Sequence, residues 1–243
     1  MSTPPPDTAN VALRFCDTDY PGATTVVLGG SSSTGRRTAT SDIDILLIAP
    51  AATFAGADPT AGDRVAHGEA RVAHRDGERI DVFAYTVEGY RDWADRDFAS
   101  LRPVLPYLLT EGVPLRTGTE FGELRQWSAE RLARGPRLSD HKLELRRYAV
   151  TDLIDDLADD TDRLTAAAIR ADLFRALGEL ALLTAKAWLG SGKWLARRLA
   201  AADPSAAAQL TDFAAEPGNT QAAAIASGLL ERLGGRVDED LTR

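Results

Sequence analysis

Cysteine is almost missing from this sequence of 243 residues, in which Cys16 is the only one. A single cysteine excludes a disulfide within the chain and a thiolate metal site, so a reducing cytoplasm is the expected location. Histidine is scarce too. The three imidazoles, at His67, His74 and His141, have no regular spacing and make a poor set of zinc ligands.

Long apolar runs and an excess of positive charge are also lacking. The longest apolar stretches, such as the one around 46–50, fall far short of the roughly 20 residues of a transmembrane helix, so we expect no membrane partner. Lysine and arginine number 28 against 36 aspartates and glutamates, and the formal charge of -8 disfavours nucleic acid as a partner. Residues 1–8 are polar and rich in proline, which predicts a disordered tail rather than a signal peptide.

The first half of the chain has the pattern of short strands separated by polar or glycine-rich breaks. Apolar runs at 24–28 and 42–49 predict two strands. Runs at 70–75 and 79–85 flank Asp76-Gly77, which predicts a hairpin because glycine takes a positive φ at little cost. A short helix is expected over 9–20, before the first strand.

Beyond Thr86 alanine becomes frequent and helical spacing dominates. We predict helices near 88–98, 101–110, 119–134, 139–159, 163–189, 192–202 and 219–233. One of them carries an apolar stripe at four-residue steps, which predicts its buried face. The stripe consists of Leu145, Ala149, Leu153 and Leu157. The fold class is therefore α+β followed by all-α, with an α+β domain over 9–90 and a helical domain over 91–243.

The most informative stretch runs over 26–49, with the sequence VVLGGSSSTGRRTATSDIDILLIA. A strand leads into Gly29-Gly30-Ser31-Ser32, where glycines allow close approach to a ligand and N–H groups can cradle phosphate oxygens. Ten residues after Ser32, Asp42 and Asp44 open the next strand. Residues two apart face the same side of a strand, so both carboxylates project together.

A third carboxylate, Asp81, lies between Ile80 and Val82 in a later predicted strand. A charge in such a place is costly unless it is paired or bound to a metal. Carboxylate oxygens suit hard cations such as magnesium. Three carboxylates can hold two magnesium ions ~3.5–4 Å apart, the arrangement that stabilises an in-line phosphoryl displacement.

A Gly-Ser loop, a spacer near ten residues, Asp-x-Asp on a strand and a further Asp on a later strand together resemble the DNA polymerase beta-like nucleotidyltransferase superfamily. The compact N-terminal domain followed by helices is most similar to its small-molecule branch, which includes aminoglycoside and lincosamide nucleotidyltransferases. The resemblance covers roughly 9–88. It implies a minimal nucleotidyltransferase domain, with a mixed β-sheet and flanking helices, ahead of the α-helical bundle.

The resemblance also implies roles for the residues that match the motif. The backbone of Gly30 and Ser31 would bind the triphosphate, and the run of serines brings Ser32 into the same candidate set. Asp42 and Asp44 would bind both magnesium ions, and Asp81 would complete one of the two metal sites.

Two basic side chains are further candidates for contact with the triphosphate. Arg36, with Arg37 beside it, lies in the phosphate loop, where an ordinary solvated loop explains it equally well. Lys193 follows a Gly-Ser-Gly break near the start of a predicted helix, where an anion is favoured. Otherwise that segment is a simple turn with Trp194 packed inward.

Two carboxylates are candidates for the general base that deprotonates an acceptor hydroxyl. Asp152 lies on the acidic side of the 139–159 helix, at the edge of its predicted buried face, although a charged helix face is usually only solvated. Glu88 follows the Asp81 strand and is expected at the rim of the metal site, although glutamate is equally favoured in a first helical turn.

Together these features predict an enzyme that moves a nucleoside monophosphate, AMP from ATP in the first instance, from a magnesium-bound triphosphate to a small hydroxylated acceptor. The acidic helix face favours a cationic acceptor such as an aminoglycoside-like amino sugar, and hence a role in antibiotic resistance. The alternative is a protein-modifying or antitoxin-like module that acts on a partner protein. The net charge disfavours an RNA-modifying enzyme. A homodimer is compatible with the sequence.

Overall fold

The computed structural model describes residues 6–33, 35, 38, 40–54, 67–159 and 162–238. Contacts between Cα atoms divide the chain into two compact units, Met1–Arg134 and Gly135–Arg243. Arg36, a candidate for contact with the triphosphate, lies outside the described residues, as does Arg37.

The described part of the first unit contains a sheet and several helices. The strands are β1 (Thr25–Leu28), β2 (Ile43–Ile48), β3 (Gly68–Arg75), β4 (Glu78–Tyr85) and β5 (Val113–Arg116). The helices are α1 (Pro6–Asp19), α2 (Gly30–Ser33), α3 (Val87–Ala99), α4 (Val104–Glu111) and α5 (Phe121–Ala133), with a 3-10 turn at Ala51–Phe54. The first helix begins at Pro6, three residues before its predicted start.

The strands form one mixed sheet in the order β3-β4-β2-β1-β5. Strands β2 and β4 are parallel, whereas the other neighbouring pairs are antiparallel. The predicted hairpin is present: Asp76 and Gly77 join β3 to β4 with φ values of 53° and 78°. Positive φ at both residues matches the right-handed twist of the strands on either side.

Alternate residues of the central strands pack into two hydrophobic clusters, one on each face of the sheet. Ile45 is buried with Phe15 of α1 on one face. Leu46 is buried with Leu109 of α4 on the other face. Because Asp44 alternates with Ile45, its side chain lies on the face that α4 partly covers.

The expectation that the chain is purely helical beyond Thr86 is wrong at β5. This strand pairs antiparallel with β1 at one edge of the sheet, where the register shifts between Val26 and Val27. It contains Pro114, which is tolerated at an edge because proline has no N–H to donate to a second neighbour. Four residues interrupted by proline show too little alternation to be identified from sequence.

The described part of the second unit is helical. Its helices are α6 (Asp140–Asp159), α7 (Arg163–Thr184), α8 (Lys193–Ala202), α9 (Pro204–Ala215) and α10 (Asn219–Arg232). Helix α7 ends at Thr184, five residues before the predicted end, and α9 was not predicted. A clear start signal precedes α9, because the Asp203 side chain accepts a hydrogen bond from the Ala206 N–H at 2.9 Å.

The buried face of α6 differs from the predicted stripe. Its buried residues are Val150, Thr151, Ile154 and Leu157. Of the predicted stripe only Leu157 is buried, whereas Leu145 and Leu153 are partly exposed and Ala149 is exposed. The buried face of α6 is rotated from the predicted stripe by about one residue, which is ~100° around the helix axis. Helix α6 carries apolar residues at two neighbouring sets of positions around its axis, so the sequence is compatible with either buried face. Its contacts with α7 and α10 determine which of the two is buried.

The α+β class, with an N-terminal mixed sheet followed by a helical region, is confirmed. The division into domains at residue 90 stays a prediction, since α3, α4 and α5 group with the sheet in the first compact unit. Among the described residues, no helix is both long and apolar enough to cross a membrane.

Candidate active site

The loop after β1 lies directly against the start of β2. The Gly29 N–H donates a hydrogen bond to the Asp44 carbonyl at 2.8 Å. Gly30 then begins α2 with a φ of +62°, a conformation that glycine adopts with little strain. A Cβ atom at Gly30 would lie 1.7 Å from Oδ2 of Asp44. Only glycine therefore leaves room for this carboxylate beside the loop.

Asp44 and Asp81 are direct neighbours across the parallel strands β2 and β4. Paired residues point to the same face, so both carboxylates project together, while Ile43 and Ile80 are fully buried on the opposite face. Asp42 stands just before β2, near enough for its negative charge to act on the Asp81 carboxyl. All three aspartates are partly exposed. The structure thus places Asp44 directly beside Asp81, with Asp42 close to Asp81.

The pKa of the Asp81 carboxyl is raised above its ordinary value. Burial is the largest cause and the negative charge of Asp42 is the second, whereas the Arg79 guanidinium lowers this pKa. Nη2 of Arg79 lies 3.1 Å from Oδ1 and 3.4 Å from Oδ2 of Asp81. A partly buried carboxylate with specific charged neighbours is a candidate functional group.

The donor set suits magnesium in its chemistry, because it consists of carboxylate oxygens alone. Oδ1 of Asp81 is buried and, apart from its ion pair with Arg79, accepts no hydrogen bond from the described residues. Across the part of the chain that the structure describes, no three His, Cys, Asp or Glu side chains are gathered closely enough to hold a metal ion as they stand. The residues therefore fit magnesium in type and strand register, and enclosing an ion requires side-chain movement. The two magnesium ions stay a prediction.

The serines of the loop are buried at the start of α2. The Ser32 hydroxyl donates to the Asp42 carbonyl at 3.3 Å, and the Ser33 hydroxyl donates to the Gly30 carbonyl at 3.0 Å. Ser32 therefore links the loop to the carboxylates. The start of a helix turns its N–H groups outward and attracts anions, which is compatible with the predicted contact of Gly30 and Ser31 with a triphosphate.

Glu88 is not brought to the carboxylates. It is exposed in the first turn of α3, beyond the far end of β4. Between Asp81 and Tyr85 the strand advances by about 13 Å, and this carries the chain away from the acidic cluster. The rim position expected for Glu88 is therefore not found. Its placement favours the alternative role, in which a glutamate stabilises the start of a helix.

Asp152 and Lys193 both belong to the second compact unit. Asp152 is exposed on α6, and Lys193 is the exposed first residue of α8, directly after Gly192 with its φ of +51°. Their predicted roles, general base and phosphate contact, stay predictions.

Arg79 is a site residue that the sequence analysis did not identify. It precedes Asp81 by two positions on β4, so both side chains lie on the same face. The alternation of the strand was the signal that could have found it. Arg79 is the cation that the described structure places against the acidic cluster, through its ion pair with Asp81.

Of the comparisons with known proteins, the match to a family model bears on this geometry. Residues 10–98 match the family model described as nucleotidyltransferase domain, and this match supports nucleotidyl transfer in general. No curated protein matches the sequence. One similar solved structure is a nucleotidyltransferase-like protein from Exiguobacterium sibiricum 255-15, with 11% identity and a TM-score of 0.44 over 93% of this chain and 73% of that chain. At this TM-score the similarity carries no argument.

Proposed function

We propose that the protein transfers a nucleoside monophosphate, AMP from ATP, to a hydroxyl group of a small acceptor in a magnesium-dependent reaction. The observation that carries the proposal is the pairing of Asp44 with Asp81 on one sheet face, with the Asp44 carboxylate against Gly30. A glycine-serine loop of the kind that can bind phosphate is thereby adjacent to carboxylates of the kind that can bind a hard cation, the combination that supports nucleotidyl transfer.

In this proposal some residues bind the nucleotide and others bind its magnesium counterions. The Gly30, Ser31 and Ser32 loop would bind the triphosphate through backbone N–H groups. Asp42, Asp44 and Asp81 would hold magnesium, which supplies positive charge to the triphosphate and polarises the α-phosphate when bound. Arg36 and Lys193 would add positive charge around the β- and γ-phosphates.

The chemical step needs no covalent intermediate. The acceptor oxygen forms a bond to the α-phosphorus while the bond from that phosphorus to the pyrophosphate oxygen breaks on the opposite side. The acceptor proton passes to a general base, for which we propose the Asp152 carboxylate. The acidic side of α6 supports an acceptor that carries positive charge, such as an amino sugar of the aminoglycoside type.

One experiment tests this proposal directly. The full-length protein is incubated with each nucleoside triphosphate, magnesium and a panel of aminoglycosides, and mass spectrometry detects acceptors heavier by one nucleoside monophosphate. Asp44→Asn should abolish the product. Asp76→Asn is the matched control, because it makes the same chemical change in the β3–β4 turn, where asparagine tolerates the positive φ.

Nucleotide attached to a protein instead of a small acceptor would favour the alternative, a module that modifies a partner protein. Absence of transfer to any acceptor, with nucleotide binding also absent, would remove the proposed function. Equal activity of Asp44→Asn and Asp76→Asn would show that the carboxylates have another purpose.

A further inference from the structure

The open face of β3 continues the face that carries the candidate carboxylates. Val72 pairs with Asp81 across β3 and β4, and His74 pairs with Arg79 in the same register. Paired residues point to the same face, so Val72 and His74 stand on the carboxylate side of the sheet. Both are exposed, and Val72 is 52% exposed despite its apolar side chain.

The opposite face of β3 is covered. Arg71 donates hydrogen bonds to the hydroxyl of Tyr20 at 2.8 Å and to the carboxylate of Asp19 at 3.1 Å. Arg75 is paired with Asp19 at 2.5 Å. These contacts fix β3 against the end of α1. Val72 and His74 are therefore exposed on a strand that its opposite face holds in place.

The four strands place the site components in one line across the sheet. Gly29 is bonded to Asp44 through the backbone, Asp44 pairs with Asp81, and Asp81 pairs with Val72. The phosphate loop is at one end of this line and β3 is at the other. Helix α4 closes the loop end, because a Cβ atom at Gly29 would lie 2.3 Å from Cδ2 of Leu108. The β3 end is open.

In-line displacement requires the attacking oxygen to approach from the side opposite the leaving group. Resting on the function proposed above, a triphosphate held at the Gly29–Gly30 loop directs its pyrophosphate toward that loop. We propose that the acceptor enters over β3, lies against Val72, and is positioned by a hydrogen bond between its hydroxyl group and the imidazole of His74.

The chemistry of this face indicates which part of the acceptor it takes. The face is built from the small apolar side chains of Ala70 and Val72 beside one imidazole, with Arg79 next to it. It suits the C–H face of a hydroxylated ring, with a hydroxyl group directed to His74. Ammonium groups of the acceptor are not matched here, since these four side chains include no acid.

The position of His74 can be measured without knowing the acceptor. The chain has only three histidines, so their imidazole proton signals in NMR spectra can be assigned by single His→Gln variants. Manganese, used with a non-hydrolysable ATP analogue, broadens nearby signals by an effect that falls steeply with distance. We expect His74 to broaden most. His67, about 23 Å from His74 at the other end of β3, serves as the internal reference.

Every outcome of this measurement is decisive. Selective broadening of His74 supports the placement of β3 at the reacting end of the nucleotide. Nucleotide binding by calorimetry without selective broadening of His74 overturns the inference and leaves the proposed function intact. Absence of nucleotide binding removes the proposed function, and the inference with it.

A second test measures the kinetics of transfer to an aminoglycoside that the wild type modifies. If the wild type modifies no aminoglycoside, the NMR measurement alone decides the inference. Val72→Glu and His74→Ala should each raise the acceptor KM by about tenfold, the value of one lost contact, and leave the nucleotide KM unchanged. Val104→Glu and His67→Ala are the matched controls, because Val104 is 51% exposed on α4 and His67 is exposed beside β3. Equal effects in variants and controls would overturn the inference.

Discussion

At the scale of single residues, the contact between Gly30 and the Asp44 carboxylate leads to a first prediction. Gly30→Ala places a Cβ atom where Oδ2 of Asp44 now lies and also strains a backbone with φ of +62°. Strain of this kind costs about 1–2 kcal/mol of unfolding free energy. Displacement of the carboxylate should remove nucleotidyl transfer as well, as measured by pyrophosphate release.

Gly77→Ala separates strain from displacement. Gly77 has a φ of +78°, and a Cβ atom there would meet nothing within 4 Å. This variant should lose a similar amount of stability, measured by urea unfolding, and keep its activity. Full activity in Gly30→Ala would show that the Asp44 carboxylate can move without consequence.

Asp81 supports a second residue-scale prediction, in which stability and activity change in opposite directions. Its raised pKa means that the folded protein binds this proton more tightly than the unfolded chain does, so the ionised carboxylate lowers stability. Asp81→Asn should therefore raise or preserve the melting temperature at neutral pH. Activity should fall by at least about 100-fold, as expected for loss of a metal ligand.

The pH dependence of this stability difference has a definite sign. The wild type is penalised above the ordinary titration range of an aspartate, and the penalty disappears in acid, where Asp81 is protonated. The melting-temperature advantage of Asp81→Asn over wild type should therefore shrink as the pH falls. An advantage that grows in acid would contradict the proposed origin of the raised pKa.

At the scale of elements, α6 tests which helical face carries the packing. Ile154 is 3% exposed, whereas Leu153 is partly exposed. Ile154→Ala should cost about 2–5 kcal/mol, the usual range for a buried aliphatic truncation. Leu153→Ala, a similar change one residue away, should cost clearly less in the same chemical denaturation experiment. The reverse order would restore the face predicted from sequence.

The same elements show what the sequence could and could not predict. The hairpin and the Asp44 and Asp81 strands follow from local rules, because turn chemistry and strand alternation are set by neighbours in sequence. The edge strand β5 depends on pairing with β1, which lies far away along the chain. The face of α6 depends likewise on which helices pack against it. Helix α9 is a different case, since Asp203-Pro204 gave a readable start signal.

In the candidate site, too, local features could be predicted from sequence and contacts between distant segments could not. The types of its residues and the strand positions of Asp44 and Asp81 could be predicted, because a strand period of two sets the face on which each side chain lies. The pairing of β2 with β4 could not be predicted, because β3 lies between these two strands in the sequence. That pairing sets Asp81 beside Asp44, whereas the alignment of His74 with Arg79 comes from the β3–β4 hairpin. Glu88 lies beyond the far end of β4, so its closeness to Asp81 in sequence does not bring it to the carboxylates.

At the scale of the whole molecule, the chain is two compact units, and the candidate carboxylates and the Gly29–Gly30 loop all belong to the first. A ligand that binds only the folded state stabilises that state in proportion to the logarithm of its concentration. ATP with magnesium at about 100 times its Kd should add about 2.7 kcal/mol to the unfolding free energy of the structure that binds it. Differential scanning calorimetry would record this as a raised transition temperature.

The carboxylates determine how this effect should depend on the metal. Asp42, Asp44 and Asp81 repel one another and the triphosphate alike, so ATP in the presence of a chelator should give little stabilisation. Asp44→Asn should lose most of the magnesium-dependent shift, whereas Asp76→Asn, in the β3–β4 turn, should keep it. An equal shift of the transition temperature in both variants, or a full shift in the presence of the chelator, would show that the nucleotide binds away from the carboxylates. The carboxylates beside the glycine loop would then have no role in catalysis.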